Sequence, residues 1–141
     1  MSCSCPADPV VFTVPPSLRA AATGLDAAAD RSNSHDEPTV AAICPTCLSV
    51  VRRADSAATN LEFSRISASF PDGEGGVALA LMLGLLDSLV HNRAGIEAAL
   101  EAAERAGVDP LLVIDRLLDD RSIEPAIDLE RRRDKLESLV Y

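Results

Sequence analysis

The four cysteines of the chain stand in two tight pairs, Cys3-Ser4-Cys5 and Cys44-Pro45-Thr46-Cys47, with 38 residues between them. Thiolates so grouped are ligands for a soft divalent ion. A structural zinc takes four of them in a tetrahedron, each sulfur about 2.3 Å from the metal. Short cysteine pairs carried on β-turns supply such a set, and Pro45 stiffens the second knuckle. The residues are therefore read as holding one structural zinc ion through Cys3, Cys5, Cys44 and Cys47. Two other chemistries use the same region. A redox Cys-x-x-Cys normally opens a long helix, whereas Cys47 leads into Leu48-Ser49-Val50-Val51, a strand-like run. His35 lies between the pairs and could replace Cys3 or Cys5; with Cys44, Cys47 and a water it would make the open site a catalytic metal needs.

Other reactive-looking groups read more plainly as structure. Asp72-Gly73-Glu74-Gly75-Gly76 sets glycines before a helix, as a phosphate cradle does, but has no Lys-Ser/Thr partner, and its carboxylates would repel an anion. Asp115, Asp119 and Asp120 share helical spacing and are read as a solvated face. His91 is read as a helix-end cap. Arg131-Arg132-Arg133 is flanked by Asp128, Glu130, Asp134 and Glu137, its natural ion-pair partners within a helix. No Ser/His/Asp or Cys/His arrangement is discernible, so no enzyme is expected.

The elements that must position the cysteines follow from the pattern around them. Residues 9–14, 39–43 and 48–52 are β-branched and apolar and are expected as three strands, each beside a cysteine pair. Pro15-Pro16 closes the first. Residues 17–38 are small and polar and read as a long exposed loop with one helical turn near Leu18 to Ala22. Residues 54–70 read as a connector, and the glycine cluster at 71–76 as the boundary. Beyond it the period changes. Residues 77–90 are apolar nearly all round, as a central buried helix would be. Asn92 is placed to cap a second helix over 93–106, or the two form one bent helix, and Gly107 fits a left-handed stop. Asp109-Pro110 is a cap followed by proline at the first helical position. Asp128 is expected to cap a last helix with Leu129, Leu136, Leu139 and Val140 inward. The fold class is α+β: a zinc-ribbon-like β unit over 1–53, a connector over 54–73 and an all-helical bundle or hairpin over 74–141. So small a β unit is expected to have little core of its own, with the metal standing in for it.

Composition bounds the role. The 141 residues are 48% hydrophobic but only 3% aromatic, enough apolar material for a packed core built on Leu, Val, Ile and Ala. The formal charge is −9, and residues 71–141 carry net −7, with 8 basic and 15 acidic side chains. Such a surface repels phosphate backbones at low ionic strength. The sole lysine, Lys135, stands beside 12 arginines, and Asp outnumbers Glu 13 to 9. Short carboxylates with scarce lysine fit solubility in near-molar salt, where the Debye length is about 3 Å and self-repulsion fades. The apolar stretch around 77–90 is too short for a membrane span, which needs about 20 residues. Met1-Ser2-Cys3 lacks the features of a leader, so a cytoplasmic setting with reduced thiols is expected.

The Met-Ser-Cys start, Pro-Val-Val-Phe, Ala-Ile-Cys-Pro-Thr-Cys, Phe-Pro-Asp-Gly-Glu-Gly-Gly-Val-Ala-Leu-Ala-Leu, Gly-Val-Asp-Pro-Leu-Leu-Val and the closing Asp-Leu-Glu-Arg-Arg-Arg together resemble a haloarchaeal family of unknown function. Over the ribbon the chain is also similar to small haloarchaeal zinc-finger proteins with Cys-Pro-x-Cys-Gly, but has Cys3-x-Cys5 where these open with Cys-x-x-Cys, and Leu48 in place of the glycine. The resemblance implies a cytoplasmic halophile protein and no activity. The expected role is a non-catalytic interaction module with a protein partner. The alternative is a nucleic-acid-associated regulator using Arg52, Arg53 and Arg65.

Overall fold

The computed structural model describes Cys5 and residues 8–22, 26–27, 39–53 and 63–140. Four strands form one sheet: β1 (Val10–Val14), β2 (Asp26–Ala27), β3 (Thr39–Ile43) and β4 (Val50–Arg53), in the order β1-β3-β4-β2. The three expected strands are antiparallel neighbours, with Val10 opposite Ile43 and Ile43 opposite Val50. The two-residue β2 adds a parallel edge on β4. The helices are α1 (Arg19–Ala22), α2 (Gly73–Leu85), α3 (Arg93–Arg105), α4 (Pro110–Leu118) and α5 (Leu129–Val140). The protein is thus α+β.

β1 alternates between buried and half-buried positions, with Val10, Phe12 and Val14 inward, the period-2 pattern of a sheet covered on one face. What covers it is α2. From Gly75 to Leu83 every residue of this helix is buried, because strands β1 and β4 lie on one side and α3 on the other. Sheet and helices therefore share one continuous apolar cluster that runs from Val10, Phe12 and Ile43 through α2 to Ile114 and Leu136. The β unit does not lack a core. It borrows one from α2, which corrects the expectation that a metal stands in for it.

Three further expectations change. The helical turn expected near Leu18 to Ala22 is there, as a 3-10 turn at Pro16–Leu18 leading into α1, but it is not exposed: Leu18, Ala21 and Ala22 are buried where α1 packs on α3. The helix expected at 77–90 starts at Gly73 and ends at Leu85, and the chain then tightens through a 3-10 turn at Leu86–Ser88. α2 and α3 are separate helices. Asn92 stands at the N-cap of α3 but does not cap it with its side chain. It is the one buried polar side chain among the described residues, and its amide donates to the carbonyl of Leu85 at 3.1 Å. It thereby satisfies an end carbonyl of α2 that has no partner within the helix.

The remaining punctuation agrees with local chemistry. Gly107 has φ +85° and ends α3. The carboxylate of Asp109 accepts from Leu112 N at 3.2 Å, with Pro110 at the first helical position. Asp128 does the same for Arg131 N at 3.2 Å. All three phenylalanines of the chain meet: Phe63 lies 5.8 Å from Phe12 and 5.4 Å from Phe70, centroid to centroid. Arg133 pairs within its own helix, as expected, with Asp134 at 3.4 Å and Glu137 at 3.2 Å, and it also bridges to α4 by pairing both Asp115 oxygens at 2.9 and 3.2 Å. Asp115 is therefore not merely a solvated face residue.

Candidate metal centre

The register of the sheet brings the cysteines together. Because Val10 pairs with Ile43 in an antiparallel ladder, the chain before β1 must run on past the end of β3, where Cys44 begins the β3–β4 turn. That carries Cys5 to the knuckle. Arg65 pins the lead-in, donating to the carbonyl of Asp8 at 2.8 Å.

The knuckle closes tightly. Cys44 N donates to Ser49 O at 2.9 Å, and Leu48 N donates to Cys44 O at 3.0 Å. For this to happen Leu48 adopts φ +62°, the only left-handed non-glycine among the described residues. The left-handed region is where glycine is favoured. Leu48 stays because its side chain is buried in the core. After Cys47 the chain enters β4 and not a helix, so the geometry of a thioredoxin-like motif is absent here.

The sulfurs of Cys5, Cys44 and Cys47 lie within 4.8 Å of one another. Cys44 is 3% exposed and Cys47 8%, with Cys5 half-buried. A tetrahedral ion with sulfur at about 2.3 Å has ligand edges of about 3.8 Å, so this triangle accommodates a thiophilic ion with little adjustment. Ser49 Oγ lies 3.1 Å from Cys47 Sγ and can donate to that sulfur once it is a thiolate. A second support comes from far along the chain. Glu124 N donates to Thr46 O at 2.7 Å, and Ala126 N donates to Cys47 O at 3.0 Å. The connector between α4 and α5 thus lies across the knuckle. Three soft, largely enclosed donors can bind and retain a metal ion.

Of the other expected site residues, Cys3 and His35 lie outside the described residues. Arg52 and Arg53 belong to β4, with Arg52 half-buried. Arg65 is exposed. His91 is exposed in the turn before α3. The glycines at 73–76 offer no cradle: a Cβ on Gly76 would lie 2.3 Å from Pro71 O and 2.7 Å from the Phe63 ring. Sequence reasoning missed Ser49, Glu124 and Ala126 as supports of the site. Only the non-glycine at position 48 gave a signal.

A model of the family described as Family of unknown function (DUF6276) matches residues 2–140. The chain belongs to this family. No curated protein and no solved structure matches it. In this DUF6276 member the matched span contains both cysteine pairs and every helix among the described residues, none of which is long and apolar enough to cross a membrane.

Proposed function

We propose that this protein is a non-catalytic interaction module organised around one structural zinc ion, with Cys5, Cys44 and Cys47 as ligands and Cys3 as the fourth. The observation that carries the reading is the convergence of three cysteine sulfurs, two of them buried, on the closed β3–β4 turn. Soft thiolates suit zinc, copper(I) and iron–sulfur clusters, and a mononuclear site of four thiolates in the cytoplasm points to zinc. Four protein ligands leave no open coordination position, which favours a structural over a catalytic role. Arg65 is tied to the Asp8 carbonyl, and the acidic surface disfavours phosphate, so a protein partner is preferred to a nucleic acid.

Metal content tests this reading directly. Elemental analysis and native mass spectrometry of protein purified in high salt should find one zinc per chain, lost or weakened in Cys3→Ser, Cys5→Ser, Cys44→Ser and Cys47→Ser. Zinc indifferent to Cys44 and Cys47, or no metal at all, overturns it.

A further inference from the structure

The connector from Asp119 to Asp128 is anchored at intervals. Asp120 turns it by accepting from Ser122 N at 2.9 Å and Ser122 Oγ at 2.6 Å. Ile123 is buried, and Ile127 packs against the core. Between these two apolar anchors, Glu124 N and Ala126 N reach the carbonyls of Thr46 and Cys47. Glu124 and Ala126 are exposed, and the ties to the knuckle that they make are main-chain hydrogen bonds. They fall on consecutive carbonyls of the Cys-Pro-Thr-Cys loop. Three residues after Ala126, α5 begins. Over residues 129–138 of that helix Leu129 and Leu136 are buried, and Arg133 holds Asp115; the side chains of Leu139 and Val140, expected inward, lie outside the described ones.

We infer that the cysteine knuckle is a metal-operated clasp for the C-terminal helix: a metal ion in the knuckle fixes the two carbonyls that dock the connector, and its removal releases the connector and α5 while the rest of the fold stands. The inference rests on the metal-binding reading above. A metal bound through Cys44 and Cys47 holds both ends of the Cys-Pro-Thr-Cys loop, and Leu48, directly after it, is in a strained, left-handed conformation. Without it the loop is free to relax, and relaxation reorients the peptide groups whose oxygens face Glu124 and Ala126. Nothing comparable happens in α2, whose burial depends on the sheet and α3. Release of α5 uncovers the apolar surface that Leu129 and Leu136 cover.

The test compares amide hydrogen exchange in the full chain, zinc-loaded and after chelation, in the same high-salt buffer. Exchange at Glu124, Ala126 and the first hydrogen-bonded amides of α5 should rise about tenfold on chelation, the scale of one net hydrogen bond lost, while amides of Leu79 to Leu83 change little. Coupling is reciprocal, so Ala126→Pro, which deletes the N–H, should weaken zinc binding against a competing chelator by about the same factor. Ala126→Gly, which keeps the N–H, should not. Zinc that binds stoichiometrically with unchanged exchange at Glu124 and Ala126 overturns the clasp and leaves the metal reading intact. Exchange that rises equally in α2 means global unfolding and also overturns it. Failure to bind zinc at all removes the metal reading and the clasp together. Should Ala126→Pro fail to fold, the exchange comparison on the unmodified chain decides alone.

Discussion

Replacing Leu48 by alanine and by glycine separates backbone strain from packing at the knuckle. Leu48 is 6% exposed with φ +62°. Both substitutions delete the same buried side chain, a loss of about 2–5 kcal/mol for leucine, so both variants fall below the parent. Their order is the informative quantity. At an ordinary position glycine is less stable than alanine by about 0.5–1 kcal/mol, through backbone entropy. At a left-handed position a residue with a Cβ carries a penalty of about 1–2 kcal/mol that glycine escapes. The difference predicts Leu48→Gly above Leu48→Ala by about 0.5–1 kcal/mol, the reverse of the usual order, or roughly 2–4 °C in Tm for a chain of this size. Urea and thermal unfolding of the two zinc-loaded variants, followed by far-UV circular dichroism, measure it. Alanine equal to or more stable than glycine would refute the strained turn.

Gly76→Ala should destabilise the fold by about 1–3 kcal/mol through overpacking, against the gain of about 1 kcal/mol that alanine usually brings to a helix, because the new Cβ would meet Pro71 O at 2.3 Å and the Phe63 ring at 2.7 Å; a raised denaturation midpoint would contradict this packing. The hydroxyl and then the backbone N–H of Ser122 hold the Asp120 carboxyl below its ordinary 3.8. A carboxylate lowered on folding stabilises above the ordinary value, and that contribution is lost as pH falls through the lowered one. Ser122→Ala should therefore raise the Asp120 midpoint in an NMR titration and weaken stability above pH 3.8 more than below it; an unmoved midpoint would rule this out. Net −7 over residues 71–141 predicts that dialysis below roughly half-molar salt loosens the helices as screening is lost, and unchanged far-UV dichroism would show that the charges are tolerated.

Local chemistry determined much of this protein from its sequence. The three antiparallel strands, the stop at Gly107, and the caps at Asp109 and Asp128 depend on neighbouring residues, and they stand where pattern and propensity put them. The apolar circumference of residues 77–90 already required a helix enclosed on every side, although the helix ends at Leu85. Tertiary structure decided what enclosed it. A period-2 strand pattern says that one face is covered but not by what, and only the packed chain shows that α2 covers the sheet and gives β unit and helices one core. The same holds at the metal centre. Cys-Pro-Thr-Cys announces a ligand turn by its spacing. The arrival of Cys5 is set by the pairing of Val10 with Ile43, and the support from Glu124 and Ala126 comes through backbone groups more than 75 residues away in the chain. Main-chain hydrogen bonds carry no side-chain signature, so no reading of residue types could have found them.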